Sequence, residues 1–375
     1  MKKFITVMLA LGLLLALTAC GNAENGGGEQ AADQASITVT DHNGNEITLP
    51  AEIDKIAVAD ILPLPSVLSV FFDSADRIVG ISPISMAAAE NGLLGELYPE
   101  ILEADTGWIE GTSVNVEELM KLEPDVVFYS AESPDVGQTL NDAGFNAVAV
   151  SAAKWEYDCI ETLNNWVALL SQIFPENDKT QTVADYSNEI YDMVQGRVAD
   201  IPDAEREKVF YLFNYDDTNL TTSGKLFFGQ WWADAVGAEN VAEELTTDNS
   251  AAVNMEQIYS WNPQMVFITN FNAAQPADLY NNTMGNYDWS EIDAVKNQQV
   301  YKMPLGAYRS YTPGADTPMT LLWMAKTVYP DLFEDIDLNQ EVKNYYQEVF
   351  GIELSDEQIE KYFNPSSAVG ENFNL

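Results

Sequence analysis

The chain is poor in the residues on which catalytic and metal-binding sites most often depend. Its 375 residues include one histidine, His42, and two cysteines, Cys20 and Cys159. A Ser-His-Asp triad and a typical zinc site both need imidazole, and His42 lies beside a predicted turn, where we expect a solvated side chain. Cys159 has no partner within the folded part of the chain, so we expect a small buried residue and no disulfide. The sequence therefore predicts no catalytic residue and no protein-held metal, and leaves a surface-anchored α/β hydrolase only as a remote alternative.

Positive charge is also scarce. The chain has 17 lysines and arginines against 59 aspartates and glutamates, a formal net charge of −42. Such a surface repels phosphates, so the composition argues against a nucleic-acid partner. Arginine occurs only four times, at Arg77, Arg197, Arg206 and Arg309.

The first 19 residues are typical of a signal peptide. Lys2 and Lys3 precede an apolar run that is shorter than the ~20 residues of a spanning helix. The run ends in Leu17-Thr18-Ala19-Cys20, which resembles a bacterial lipobox and implies cleavage before Cys20 and diacylation of that residue. An ordinary signal followed by an incidental cysteine is the alternative. Residues 20–36 are polar and glycine-rich, as in a flexible tether to the membrane.

One sequence pattern occurs twice, at 114–128 and again without a gap at 253–267. Each copy places an asparagine, Asn115 or Asn254, where a helix would begin, with Glu or Gln three residues later, as in a capping box. We expect one apolar face of each short helix to be buried. After a proline, each copy continues into an unbroken apolar run, which is typical of a strand buried on both faces of a parallel sheet. The repeat predicts two copies of one α/β lobe.

The order of the predicted elements gives a domain plan. Residues 37–157 and 205–345 are the two α/β lobes, because strands alternate there with helical segments. Residues 158–204 are helical, and apolar residues at helical spacing indicate one long bridging helix from Asn177 to Val198. Residues 346–375 are a terminal helix and a tail that we expect to fray from Phe363 onward.

These features together resemble the substrate-binding lipoproteins of bacterial ABC importers for iron–siderophore complexes, haem and corrinoids. The resemblance rests on the lipobox, the opening hairpin Asp41–Pro50, the two repeats, and the stretch Ile292–Tyr301 with Trp289. It implies an α/β fold with two Rossmann-like lobes, mainly parallel sheets, one rigid connecting helix and a ligand cleft between the lobes. It also implies a non-catalytic monomer that delivers its ligand to the importer's permease. A purely structural lipoprotein is another alternative.

The resemblance gives two glutamates a role. Glu117 and Glu256 match the positions at which each lobe of these proteins docks onto arginines of the permease. Each is also the second residue of its predicted helix, where a carboxylate stabilises the helix dipole by ~0.3–1 kcal/mol. The two roles are compatible.

Ligands of open α/β sheets bind outside the carboxyl ends of the strands. The loops at those ends contain the predicted ligand-binding residues, namely Trp108, Tyr129, Trp155, Tyr215, Asn270, Tyr308, Arg309 and Tyr311. The same loops also contain Asp60, Ser82, Ser130, Asp216 and Phe271. Large stiff rings suit a bulky, partly apolar chelate, although core packing is the alternative for each ring.

Few cations can meet an anionic ligand in these loops. Only Arg309, Lys154 and Lys225 are suitably placed, and a highly anionic chelate would need a denser set of cations. The sequence therefore favours a neutral or weakly charged ligand, such as a hydroxamate-type iron–siderophore, with a corrinoid (cobalamin) or haem as alternatives. Any metal then belongs to the ligand, and no cofactor is predicted.

Overall fold

The computed structural model describes residues 36–111 and 113–371. The predicted signal peptide, the lipidation site Cys20 and nearly all of the tether lie outside the described residues. Within them, no helix is both long and apolar enough to cross a membrane.

The N-terminal lobe is built on a four-stranded parallel sheet. The strands of the lobe are β1 (Ser36–Thr40), β2 (Glu46–Pro50), β3 (Ile56–Val58), β4 (Ile78–Gly80), β5 (Ile109–Glu110), β6 (Ser113–Val114), β7 (Val126–Ser130) and β8 (Ala147–Val150). Its helices are α1 (Leu64–Phe72), α2 (Pro83–Asn91), α3 (Leu94–Leu97), α4 (Val116–Leu122) and α5 (Pro134–Asp142). The sheet order is β4-β3-β7-β8, and the pairs β1/β2 and β5/β6 are antiparallel hairpins. Every residue of β3 and β8 is buried, as expected for unbroken apolar strands.

Two helices leave the N-terminal lobe, α6 (Cys159–Ile173) and α7 (Thr180–Val198). The second is the predicted bridging helix. It begins three residues later than expected because Pro175–Asn177 forms a 3₁₀ turn. Val183, Ile190 and Val194 are buried along one face of α7, at the spacing of an amphipathic helix.

The C-terminal lobe repeats the first. Its strands are β9 (Lys208–Leu212), β10 (Thr221–Ser223), β11 (Glu239–Asn240), β12 (Ser250–Ala252), β13 (Met265–Ile268) and β14 (Val300–Lys302). Its helices are α8 (Phe228–Ala235), α9 (Met255–Trp261), α10 (Pro276–Asn281), α11 (Asp293–Lys296) and α12 (Thr317–Val328). The parallel sheet order β11-β9-β13-β14 matches that of the first sheet, strand for strand in sequence order. The antiparallel pair β10/β12 precedes α9 as β5/β6 precedes α4. The predicted two-lobed α/β fold is confirmed.

The chain ends in α13 (Leu338–Tyr345), a π-helical turn (Tyr346–Phe350), α14 (Asp356–Phe363) and a 3₁₀ turn (Ser367–Gly370). The expectation that the chain frays from Phe363 is wrong for the described residues. Val369 is fully buried, and the backbone of Gly370 lies so close to Asn272 that an added Cβ would be 2.1 Å from its carbonyl carbon. The last segment is therefore packed against the C-terminal lobe.

The two repeat helices differ in detail from the prediction. Met120 and Tyr259 are 50% and 40% exposed, so the buried face is narrower than expected. Asn254 and Gln257 form a reciprocal capping box, with the Gln257 side chain accepting from the Asn254 backbone at 3.1 Å. In α4 the corresponding Glu118 does not reach back, because its carboxylate pairs with the ammonium of Lys121 at 2.6 Å.

The segment between β4 and β5 is helical over Pro83–Asn91, and the polar segment 214–225 contains β10. One local prediction also needs correction. His42 is not solvated, because its Nδ1 accepts the backbone N–H of Ser151 at 3.0 Å. Burial, helped by the nearby charge of Lys154, lowers the pKa of His42 to about 4.

Candidate ligand-binding cleft

A cavity of about 340 Å³ lies where the carboxyl ends of the two parallel sheets face each other. This is the edge at which ligands bind in open α/β sheets. The N-terminal lobe contributes residues after β3 and β8 and the last residue of β7. The C-terminal lobe contributes residues after β9, β13 and β14, together with residues at the starts of α8 and β12. The lining residues are Asp60, Ile61, Leu62, Pro63, Ser130, Ala152, Phe213, Asn214, Phe227, Phe228, Asn249, Ser250, Phe271, Tyr308, Thr312 and Pro313.

Aromatic rings form much of the cavity wall. The rings of Phe213 and Phe227 meet edge to face with centroids 5.6 Å apart. Phe213 also lies 5.1 Å from Phe271, and Phe227 lies 4.9 Å from Phe228. With Tyr308, five rings line the cavity. Such a wall offers a ligand a large, stiff apolar surface.

Among the described residues that line the cavity, one is charged, and it is a carboxylate. Asp60 Oδ1 accepts the backbone N–H of Ser130 at 2.8 Å, and its Oδ2 takes no hydrogen bond from any described residue. Among the described residues that line the cavity there is no lysine or arginine. The remaining polar groups are amides and hydroxyls, which suit hydrogen bonding to a neutral ligand.

An open groove of about 910 Å³ adjoins the cavity and shares Phe227 with it. Its lysines already have partners, since Lys154 donates to the carbonyl of His42 at 2.9 Å and Lys225 pairs with Glu243 at 3.1 Å. Six carboxylates line the same groove, those of Glu156, Asp158, Glu161, Asp234, Glu243 and Asp248. The approach to the cavity is therefore acidic.

The predicted ligand-binding residues divide between the cleft and the core. Tyr308 lines the cavity and Trp155 lines the groove. Trp108 is fully buried and donates its indole N–H to the Asp105 carbonyl at 3.1 Å. Tyr129 is also buried, with its ring over Gly137, where any Cβ would come within 2.5 Å. Neither Trp108 nor Tyr129 is among the residues that line the cavity or the groove.

Tyr215 and Tyr311 are core residues of the C-terminal lobe. The Tyr215 hydroxyl donates to the carbonyl of Met284 at 2.6 Å and accepts the indole N–H of Trp289 at 2.9 Å. The Tyr311 hydroxyl is hydrogen-bonded to Ser223 Oγ at 2.5 Å. Burial raises the pKa of both phenols, so both remain neutral at physiological pH.

Arg309 lies behind the cavity wall and is only 1% exposed. Its guanidinium donates to three backbone carbonyls, those of Ile84 (3.0 Å), Asn270 (3.0 Å) and Val369 (2.8 Å). It also donates to the hydroxyl of Tyr308 at 3.2 Å. The side-chain amide of Asn270 is used in the same region to donate to two further carbonyls. In this structure, Arg309 and Asn270 therefore hold the backbone in place behind the cavity.

The sequence analysis missed three aromatic residues of the cavity wall, Phe213, Phe227 and Phe228. Phe213 directly follows β9, so the rule that selected the other strand ends applies to it as well. Phe227 and Phe228 stand at the start of α8, beyond a polar loop. A pair of adjacent phenylalanines after such a loop is the signal that could have identified them.

The comparisons with known proteins agree with this geometry. A family model described as periplasmic binding protein matches residues 74–305. The chain belongs to the periplasmic binding protein family. It is therefore an extracytoplasmic substrate-binding protein of the ABC importer class, and not an enzyme.

Individual members of the family resemble the chain over most of its length. A periplasmic solute-binding protein from Veillonella parvula is 30% identical, with a TM-score of 0.77 over 88% of this chain and 97% of that one. The molybdate-bound MolA of Haemophilus influenzae shares the fold, with 23% identity and a TM-score of 0.70 over 85% of this chain and 99% of that one. The uncharacterised ABC transporter substrate-binding lipoprotein YvrC of Bacillus subtilis is 24% identical over 89% of this chain and all of its own length.

In this periplasmic binding protein, Glu117 and Glu256 occupy equivalent places on the two lobes. Each is the exposed second residue of its helix, α4 or α9. Neither carboxylate makes an ion pair or hydrogen bond with another described residue. Each helix begins at the carboxyl edge of its sheet, and α9 follows Ser250, which lines the cavity. Both carboxylates are thus exposed to solvent.

Proposed function

We propose that the protein captures a neutral or weakly charged metal chelate, such as a ferric hydroxamate siderophore, and delivers it to the permease of an ABC importer. The observation that carries this proposal is the composition of the cavity. Five aromatic rings, several hydroxyls and amides, and one carboxylate line it, with no cation among the described lining residues. A bulky and partly apolar chelate gains contact area there without losing a charged partner.

An anionic ligand fits this cavity poorly. Two relatives are named for anions, the molybdate-binding MolA and the Fe(3+)-citrate-binding YfmC of Bacillus subtilis. Removing an anion from water costs several kcal/mol unless charge-assisted donors replace the water, on the order of the penalty for any buried ion. Asp60 would add repulsion to that cost. The cavity therefore does not suit the ligands for which those two relatives are named.

Haem and corrinoids are the second candidate, and Tyr308 is the observation that favours haem. It is the tyrosine in the cavity lining, and a phenolate can serve as an axial ligand of haem iron. Burial raises the pKa of Tyr308, although the charge of Arg309 and its hydrogen bond act in the opposite direction. The net direction disfavours the phenolate, so the siderophore is preferred.

Titration of the purified protein with a fixed panel of ligands tests the assignment. The panel contains ferrichrome as a neutral ferric hydroxamate, haemin, cobalamin, ferric citrate and molybdate. The fluorescence of Trp155 and Trp231, which line the groove, reports binding. We expect ferrichrome to bind most tightly and Phe227→Ala to weaken that binding. A higher affinity for ferric citrate or molybdate than for ferrichrome would show the proposal to be wrong. A haem absorption band that appears with the wild-type protein and is lost in Tyr308→Phe would identify haem as the ligand instead.

We further propose that Glu117 and Glu256 dock onto arginines of the permease. The double variant Glu117→Ala, Glu256→Ala should bind the ligand with unchanged affinity and should not support its uptake by cells. The matched control, Glu103→Ala with Glu360→Ala, removes two other exposed acids and should transport normally. If the Glu117→Ala, Glu256→Ala variant supports normal uptake, the two glutamates do not dock onto the permease.

Cys20 is the proposed site of lipid attachment, and we propose that the anchored protein acts as a monomer. Replacing Cys20 with serine should release the protein from the membrane fraction into the medium, with its ligand affinity intact. Retention of the variant on membranes would argue for an anchor other than the lipid.

A further inference from the structure

The chemistry of Asp60 sets a condition on any ligand that fills the cavity. One carboxylate oxygen is held by the backbone N–H of Ser130, and the other has no hydrogen-bonding partner among the described residues. Water can solvate that oxygen in the open cavity. A ligand that displaces the water leaves the carboxylate desolvated, which is costly unless the ligand supplies a donor or a positive charge of its own.

The rings that line the cavity together with Asp60 favour the same kind of ligand. Phe213, Phe227 and Phe228 line the cavity and contact one another. The faces of aromatic rings attract cations, and clusters of such rings bind alkylammonium groups. The other two rings already accommodate a cation, because the Arg309 guanidinium lies 5.3 Å from the ring centroids of both Phe271 and Tyr308.

The groove that adjoins the cavity also favours cationic ligands. Six carboxylates and two lysines line the adjoining groove, and the whole chain has a formal net charge of −42. Such a field raises the local concentration of cationic ligands at the entrance and lowers that of anionic ones.

We infer that the ligand is cationic and inserts an alkylammonium group among Phe213, Phe227 and Phe228, towards the free oxygen of Asp60. The inference rests on the proposed function and narrows it from neutral or weakly charged chelates to those with a positively charged amine arm. Asp60 is then the counter-ion, and the rings supply both apolar contact and cation–π attraction.

A pair of chelates that differ in one charge tests this inference. Ferrioxamine B is a ferric hydroxamate with a free alkylammonium arm, and its N-acetylated form is the neutral equivalent. We expect the wild-type protein to bind the cationic form about tenfold more tightly, in line with a close charge pair in a partly dry site. In Asp60→Asn the two affinities should become equal, whereas the control Glu334→Gln, which removes an exposed charge elsewhere, should keep the preference. Equal or tighter binding of the neutral form by the wild-type protein would overturn the inference.

The binding of choline tests the cation site independently of the proposed chelate function. If neither ferrichrome nor either ferrioxamine binds but choline binds in an Asp60-dependent manner, the cation site stands and the chelate function fails. Phe227→Leu keeps most of the apolar volume without a ring, so it should weaken choline binding by roughly tenfold if cation–π attraction operates. If neither choline nor either ferrioxamine binds, the inference fails as well.

Discussion

A single buried ammonium holds the loop that carries one wall of the cavity. Lys302 Nζ donates to the carbonyls of Thr269 (2.9 Å), Asn272 (2.7 Å) and Ala274 (2.9 Å). These three residues surround Phe271, which lines the cavity. Burial, with a smaller contribution from the charge of Arg309, lowers the pKa of Lys302 to about 7.

This pKa shift predicts how stability changes with pH. In the unfolded chain, Lys302 keeps its ordinary pKa of 10.5, so between about pH 7 and 10.5 the unfolded state binds more protons than the folded state. The free energy of unfolding should therefore rise with pH across that window. Urea unfolding of Lys302→Met at pH 7, 8 and 9 should show a smaller rise than the wild-type protein. The exposed Lys296→Met serves as the control and should match the wild type; equal slopes in all three proteins would contradict the assignment.

The individual side chains of the cavity show what could be predicted from the sequence and what could not. Sequence reasoning identified the loops at the strand ends, because unbroken apolar runs mark where buried strands stop. It could not say which way a loop side chain points, since a loop has no fixed period. Tyr308 and Tyr311 are three residues apart in one loop, yet only Tyr308 lines the cavity. Phe227 was missed for the same reason, because its neighbours gave no sign of its direction.

At the scale of elements, the repeat was sufficient to predict both lobes. Each copy combines a helix start, a helix end and a buried strand, and these local signals agree with one another. The antiparallel pair β10/β12 was not predicted, because β10 is short, contains only Thr and Ser, and pairs with a strand that follows a further helix. Such non-local pairing leaves little trace in a short polar segment.

One short connection between β8 and α6 joins the two lobes across the cleft. Glu156 and Tyr157 both adopt positive φ, 53° and 62°, a conformation that is uncommon for residues other than glycine. The Tyr157 ring packs edge to face on Phe227 and Phe228. Its hydroxyl donates to the carbonyl of Asp248 in the other lobe at 2.8 Å. The connection therefore closes the cleft at the point where the groove meets the cavity.

Loss of this hydrogen bond should make the connection open more often. Cys159 is fully buried two residues after Tyr157, so its rate of alkylation by iodoacetamide, followed by peptide mass spectrometry, reports the opening. We expect Tyr157→Phe to raise that rate about fivefold, as for the loss of one hydrogen bond of ordinary strength. Tyr259→Phe is the matched control, because its hydroxyl also donates to a carbonyl, that of Asp288 at 2.6 Å, but within one lobe. Equal rates in the two variants would show that Tyr157 does not control the opening.

At the scale of the whole molecule, one guanidinium joins three parts of the chain. Arg309 donates to Ile84 in the N-terminal lobe, to Asn270 in the C-terminal lobe and to Val369 in the last turn. The family model ends at residue 305, before both Arg309 and the terminal segment. Arg309 and Val369 thus lie outside the matched region, whereas Ile84 and Asn270 lie inside it. The connection limits how far the lobes can separate.

Arg309→Met should leave several buried carbonyls without a donor. We expect the free energy of unfolding to fall by about 3 kcal/mol or more, since each unsatisfied buried group costs ~1–3 kcal/mol. Hydrogen exchange in residues 356–371 should increase at the same time, because the last turn loses its link to both lobes. Arg309→Lys should not restore either property, since one ammonium cannot reproduce a planar fork of donors. As a control, Arg197→Met removes a surface pair with Asp335 (2.6 Å) and a hydrogen bond to the carbonyl of the exposed Leu332 (2.8 Å). It should cost clearly less than Arg309→Met, because water can replace both interactions at the surface. If Arg309→Met and Arg197→Met prove equally stable, Arg309 does not join the lobes in solution.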